Sequence, residues 1–471
     1  VSGDSRTAGG RADRGRLGLE QLRAEVESGA IETVVTALPD LYGRLVGKRI
    51  TGHFFLDEVV GHGMHVCDYL LACDMEMDPT PGYAFTSWET GYGDLHAVPD
   101  LATLRRAAWL EKTALVLCDA VREDGAPVVV APRSILARQL ARAAERGLLP
   151  QMGSELEFFL FRDDYAAAQR KGYVDLSHAQ HYVEDYHVLS GTFAEPVVGG
   201  IRQAMDRSAV PVEFSKGEWG PGQHEINLRF APALEMADRH VVYKLGAKEV
   251  AQQHGCSLTF MAKFDHRLAG SSLHVHSSLW RADGKPAFAE PGAALAGTPV
   301  QAPELFRYWL GGQLAHAREI ALLLAPTVNS YKRYQAGTFA PTGVAWSYDN
   351  RTAGFRVVGK GASLRVECRI PGADANPYLA YAGLIAAGLD GIERRLEPGP
   401  AFQGDVYRAA ELPRVPRTLA EAIEGFEQSP FVRAAFGDDV VQHLLHFART
   451  EQAAYENVVT DFERRRYFER I

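Results

Sequence analysis

With 471 residues, 46% of them hydrophobic, the chain is long enough to bury a large core and to form two or more domains. A net charge of −9 without a basic block argues against general nucleic-acid binding. No apolar run reaches the roughly 18 residues a membrane span needs, and five cysteines (Cys67, Cys73, Cys118, Cys256, Cys368) without a CxxC spacing suit a reducing cytoplasm.

In chain order, the opening Val1–Gly15 is rich in Gly, Arg and Asp and reads as an unstructured tail over residues 1–16, not a signal peptide. Leu19–Gly29 has a helical pattern and Ile31–Leu38 that of a strand; the Asp40–Gly43 turn leads into Val46–Phe55. Thr113–Val121, a Glu123–Gly125 turn and Val128–Val130 suggest a hairpin, so residues 17–130 read as a small β-rich domain. A helix expected over Ile135–Arg146, closed by Gly147, opens a second domain, 131–471. There strands alternate with helical segments near Met236–His254 and Pro303–Leu324, the pattern of an α/β or α+β fold. Ala287–Pro303 and Pro398–Pro416 read as loops, Tyr378–Leu389 as a buried helix started by Pro377, and Leu419–Phe468 as mostly helical.

Four strands in the second domain carry charge along one face, because residues i and i+2 of a strand point the same way. In Ser154–Phe161, Glu155 and Glu157 share a face. In Gln223–Phe230 it is Glu225, Asn227 and Arg229; in Ser272–Trp280, His274, His276 and Ser278; in Leu364–Ile370, Arg365, Glu367 and Arg369. One such strand fits a solvated face. Four of them suggest a shared polar cavity. Buried like-charged carboxylates resist ionisation unless cations compensate them, and carboxylates with one imidazole suit Mg²⁺ or Mn²⁺ better than Zn²⁺. Arg333, Arg351, Arg356, Arg365 and Arg369 lie within forty residues, and guanidinium groups suit phosphates and carboxylates. Metals and arginines around an anionic substrate are what phosphoryl transfer needs, yet GxxxxGK[ST] is missing, so the nucleotide site is of another type.

The runs GSELEFFLF (153–161), EWGPGQHEI (218–226), GSSLHVHSSL (270–279), VNSYKR (328–333), DNRTAGFRV (349–357) and ECRIPGADANPYLAYAGLIAAGLDGI (367–392), in this order, resemble the glutamine synthetase family from about residue 17 onward. The resemblance implies an α+β chain: an N-terminal β-grasp domain, then a glutamine-synthetase-type catalytic domain with a barrel-like antiparallel sheet and surrounding helices. It also implies ATP, two or more Mg²⁺ or Mn²⁺ ions, and a homo-oligomer, usually a dodecamer of two stacked hexameric rings.

Carried over by position, Glu157, Glu218 and Glu225 correspond to ligands of one metal, and Glu155, His274 and Glu367 to ligands of a second. Glu213, His276 and Ser278 fall at nucleotide positions, and Arg351, Arg356 and Arg365 around the ATP phosphates. Gly270, Arg333 and Arg369 match positions that hold the amino-acid substrate; Arg333 and Arg351 also belong to the implied catalytic set. Asp68 matches the ammonium-site aspartate contributed across the subunit interface. The implied chemistry runs through γ-glutamyl phosphate, from which an amine displaces phosphate.

Two positions depart from the family. Six residues after the arginine of the NSYKR run, glutamine synthetases carry a glutamate that binds and deprotonates ammonium; here Phe339 occupies it. Phe cannot take a proton but can line a path for an alkyl chain. Ala269 replaces the asparagine that usually precedes the substrate-side glycine. These departures lead to an ATP-dependent ligase joining glutamate to a primary amine, with a polyamine first because Glu89, Asp94 and the Asp74, Glu76, Asp78 cluster could line an anionic path. Ethanolamine is the second choice and ammonium the third. The rivals from other classes are a catalytically silent regulatory or structural homologue and a guanidino-phosphotransferase.

Overall fold

The computed structural model describes residues 14–471. Most of the expected tail lies outside that range, but its last residues are held: Arg16 bridges to Arg105 as an isolated strand pair and its guanidinium lies 2.5 Å from Glu235. The helix Leu19–Glu27 then buries Leu22 and Val26.

Six strands form the first sheet: β1 (Thr33–Pro39), β2 (Leu45–Thr51), β3 (Met64–Cys67), β4 (Asp94–Pro99), β5 (Arg105–Arg106) and β6 (Thr113–Val121). Their order is β2-β1-β6-β4-β3, with β5 beside β6; β1 and β6 are parallel and the remaining pairs antiparallel. β6 takes a central place because Ala114–Cys118 is a continuous apolar run, the pattern of a strand covered on both faces. The expected second arm of a hairpin at Val128–Val130 is not a strand. Only a bridge from Val121 to Pro127 forms, and a turn enters the helix Pro132–Ala144, whose first turn tolerates Pro132.

The second sheet contains β7 (Leu148–Phe161), β8 (Val212–Gly217), β9 (Gln223–Leu228), β10 (Ala231–Pro232), β11 (Ser257–Thr259) and β12 (Leu273–Arg281). After a separate two-stranded ribbon of β13 (Ala293–Ala294) and β14 (Gln301–Ala302), it is completed by β15 (Trp346–Tyr348), β16 (Phe355–Val358) and β17 (Arg365–Cys368). The order is β15-β16-β17-β12-β7-β9-β8, with β10 and β11 pairing with β7; β15 and β16 are parallel and the other pairs antiparallel. Helices Ala233–Gln253, Glu304–His316 and Pro377–Arg394 bury apolar side chains behind the sheet. The helical segment expected over Pro303–Leu324 breaks after His316 and resumes only for Ala321–Leu324. Ala287–Pro303, expected as a loop, carries the small ribbon as well as a single 3₁₀ turn.

One buried cation joins the first sheet to the helices. Arg133, 5% exposed, pairs with Asp238 at 3.2 Å, Asp100 at 2.6 Å and Asp119 of β6. Asp238 also accepts from the Tyr378 hydroxyl at 2.6 Å, so the first sheet and three helices share one ionic knot. Burying that guanidinium is tolerable only because carboxylates surround it.

Candidate active site

Sheet register assembles the site. The β7–β9 pairing sets Glu157 opposite Glu225 and Glu155 opposite Asn227; the β7–β12 pairing sets Glu155 opposite His274. β12 and β17 bring His276 opposite Glu367, and β16 brings Arg356 opposite the same Glu367. All of these side chains except His276 line a cavity of about 450 Å³, together with Glu218, Gly270, Arg333, Phe339, Arg351 and Arg369. A smaller cavity of about 350 Å³ adjoins it through Glu155 and Asn227, which line both. It collects Glu213, His276, Ser278 and Arg365, the four remaining residues expected on the nucleotide side.

Two expected residues lie elsewhere. Arg229 falls beyond the end of β9 and lines neither cavity. Asp68 starts a short 3₁₀ turn after β3, where it accepts from Thr86 Oγ1 at 2.6 Å; it does not line the cavities of its own chain.

Charge pairing in the larger cavity is dense. Glu155 contacts His276 Nε2 at 2.8 Å and His274 Nδ1 at 3.3 Å, and His274 Nδ1 lies 3.5 Å from Glu367. Glu367 accepts from Arg369 at 2.6 Å and from Arg356 at 2.9 Å. Arg365 donates to His276 Nδ1 at 3.1 Å within the smaller cavity, and His276 in turn reaches Glu155, which lines both. Arg333 is buried and donates to the Arg369, Ile370 and Pro371 carbonyls at 3.0, 2.5 and 2.7 Å, so part of its guanidinium is committed to holding the chain after β17. Gly270 must be glycine here: a Cβ would lie 2.4 Å from Arg333 Cγ and 2.6 Å from the Ala262 carbonyl.

Ligand atoms of Glu157, Glu218 and Glu225 lie within 4.8 Å of one another, as do those of Glu155, Glu225 and His274, and of Glu155, His276 and Glu367. Protein cations balance these groups unequally. Burial would raise Glu155, but His276 and His274 outweigh it and hold its carboxyl well below the usual range. Burial is likewise outweighed at Glu367, which Arg369 and His274 hold at about 2. Glu157 is pushed up to about 7 by burial and by Glu218, and Glu225 is driven well up by burial and by Glu155 and Glu218. Burial, with Arg369, lowers His274 to about 4, leaving a neutral imidazole. The cation near the raised pair is Lys216, paired with Glu218 and 3.8 Å from Glu225. This donor set fits divalent cations: acidic oxygens plus a neutral ring nitrogen, with more buried negative charge than the protein balances.

Sequence reasoning missed several residues of the cavity wall. Lys216, Asp185, Tyr186, Phe214 and Trp219 line the larger cavity, and Phe230 and Trp280, with ring centroids 5.9 Å apart, line the smaller. Lys216 had a usable signal, since it precedes Glu218 by two residues on the same strand edge. The aromatics had none, because isolated aromatics are most often core. Phe339 lies where the NSYKR spacing put it: it lines the cavity edge-on to Trp219 at 5.9 Å and 73°, with φ of 59°.

A family model described as "Glutamine synthetase, catalytic domain" matches residues 129–467. Gamma-glutamylethanolamide synthetase GlnA4 of Streptomyces coelicolor is 52% identical over 97% of this chain and 96% of its own length. Glutamate–isopropylamine ligase of a Pseudomonas species is 33% identical over 96% and 98%. The solved GmaS/ADP complex superposes with a TM-score of 0.82 at 29% identity, covering 95% of this chain and 99% of that one.

Proposed function

The chain belongs to the glutamine synthetase family, and from that premise we propose that it is an ATP-dependent ligase that joins the γ-carboxyl group of glutamate to a small primary amine of the ethanolamine class. The observation that carries the amine assignment is Phe339. Where a glutamine-forming enzyme needs a carboxylate for ammonium, this cavity has an apolar ring packed against Trp219. The 52% identity to an ethanolamide synthetase and the 33% identity to an isopropylamine ligase support the same choice.

Ethanolamine is preferred to a polyamine on the 52% identity to an ethanolamide synthetase, and the acidic residues invoked for a polyamine path do not line the cavity of their own chain. Asp74 spends a carboxylate oxygen on its own turn, accepting from the amides of Glu76 and Asp78. Asp94 lines a separate groove with Cys67 and His65, and Glu89 is fully exposed.

In the proposed reaction a γ-carboxylate oxygen of glutamate attacks the terminal phosphorus of ATP and ADP departs. The amine, once its ammonium form has given one proton to solvent, attacks through nitrogen the carbonyl carbon of γ-glutamyl phosphate, phosphate leaves, and the nitrogen loses its second proton to solvent. Divalent cations held by Glu157, Glu218 and Glu225, and by Glu155, His274 and Glu367, would screen the phosphate charge. Glu213, His276, Ser278 and Arg365 form the wall assigned to the nucleotide, while Arg351 and Arg356 neutralise the transferring phosphoryl group. Gly270, Arg333 and Arg369 hold glutamate.

The test is phosphate release from ATP with glutamate and Mg²⁺ against ammonium, ethanolamine, putrescine, cadaverine and spermidine, with products identified by mass spectrometry. Turnover giving γ-glutamylethanolamide and little glutamine is expected. Preferred turnover of diamines restores the polyamine choice, efficient glutamine formation removes the Phe339 argument, and no turnover with any amine favours a silent homologue.

A further inference from the structure

Phe339 carries no charge and cannot accept a proton, so an incoming ammonium lacks a counter-charge at that position. We propose that Asp185 captures the amine substrate as its cation, holding it against an aromatic wall of Trp219 and Phe339; this rests on the amide-ligase reading above. Six carboxylates line the larger cavity, and five of them, Glu155, Glu157, Glu218, Glu225 and Glu367, belong to the compact ligand groups. Asp185 is the sixth and stands outside every such group.

Its placement is built, not incidental. The Asp185 amide donates to the Glu218 carbonyl at 3.1 Å, the Tyr186 amide to the Gly217 carbonyl at 3.4 Å, and Val183 bridges to Pro221. Residues 183–186 therefore run beside the edge that carries Glu218 and Trp219. Glu184, next to it in the chain, is buried at 1% exposed, with its carboxylate 3.5 Å from His224 Nε2. Gly217 permits that approach, since a Cβ there would fall 2.4 Å from the Glu184 Cβ.

Arg356 and Arg369 pair with Glu367, where anionic phosphate and carboxylate belong, and Arg351 lines the same cavity. Lys216 is engaged with Glu218 and Glu225 and sits 4.7 Å from the centroid of the Tyr186 ring. Asp185 is exposed, beside the half-exposed indole of Trp219. A carboxylate and an indole face together favour a primary ammonium over a neutral or anionic ligand.

The test is steady-state kinetics of Asp185→Asn with ethanolamine varied at saturating ATP, glutamate and Mg²⁺. The amine KM should rise at least about ten-fold, the scale of a lost charge-assisted hydrogen bond, with the KM values of ATP and glutamate nearly unchanged. Asp185→Glu should recover most of the loss. Trp219→Leu, which leaves the carboxylate in place, should raise the amine KM by about three-fold or more. An unchanged amine KM in Asp185→Asn, or an equal rise in the KM of ATP, overturns the assignment. If the wild-type protein condenses amines while Asp185→Asn matches it, only the Asp185 assignment fails. If the wild-type protein forms no amide with any amine, the ligase reading fails and the assignment with it.

Discussion

Glu367 shows how a single side chain in this site answers to several neighbours. It is fully buried, accepts from Arg356 and Arg369, and lies 3.5 Å from His274. Glu367→Gln keeps the shape and removes the charge, leaving two guanidinium groups facing a neutral amide and one metal group short of a ligand. We expect kcat for amide formation to fall by about 10²–10³-fold, the usual cost of losing one preorganised electrostatic partner, and Mg²⁺ affinity by calorimetry to weaken in parallel. Unchanged affinity with unchanged turnover would remove Glu367 from the metal set. At this scale the chain order was informative: the alternation in Ser154–Phe161, Ser272–Trp280 and Leu364–Ile370 named the polar faces because a strand has period two. Arg229 was placed wrongly for the same reason, since β9 ends at Leu228 and the alternation stops with it.

Elements add what residues alone cannot. His316, at the end of the helix Glu304–His316, contacts Glu319 at 3.2 Å and Asp390 of the helix Pro377–Arg394 at 2.6 Å, and stacks on Phe431 with ring centroids 3.7 Å apart. Arg394 faces the same Asp390 at 3.3 Å. Burial would lower the imidazole, but the Glu319 and Asp390 carboxylates outweigh it and hold it above its ordinary 6.5. A raised histidine contributes stability that is fully present below its unfolded value near 6.5 and is lost as pH rises through the folded value. The wild-type protein should therefore lose melting temperature as pH rises from just below 6.5 toward 8, and His316→Gln should flatten that decline. Parallel pH profiles for the two proteins would show that the ion pairs do not drive it. Pattern marked the helix correctly but ran it on to Leu324, because the apolar run continues while the backbone turns. Val128–Val130 failed similarly: three apolar residues of high strand propensity become a turn, because the helix starting at Pro132 takes the chain away from β6.

Across the whole molecule, Asp68 poses the question of assembly. It lies in the first sheet's domain and outside the cavities of its own chain, so a role in amine binding requires a neighbouring copy, as in a ring with shared sites. Co-expressing Asp68→Asn with Glu367→Gln provides the check. If sites are built between copies, mixed oligomers contain some sites with both residues intact and should regain up to about a quarter of wild-type activity, while each variant alone stays low. No recovery would place Asp68 outside the active site. Within one copy the first sheet is already tied to the helices by Arg133 and its three aspartates. That knot was not legible in advance, since Asp100, Asp119, Arg133 and Asp238 span more than a hundred residues and have no common period.

The linear sequence by itself determined the secondary-structure type of the main elements, the polar faces, and the family, because these depend on local periodicity and on ordered short motifs. It also determined the exchange of an acidic side chain for Phe339, which a position in a motif is enough to reveal. Only the tertiary structure decided that Glu157 opposes Glu225, that Glu155 stands between Asn227 and His274, and that Glu213, His276, Ser278 and Arg365 line a second cavity. Strand register sets these neighbours, and register depends on pairing between segments far apart in the chain. Asp185 belongs to the same class: an ordinary loop aspartate by composition, it gains meaning from the backbone bonds that lay it beside Glu218 and Trp219.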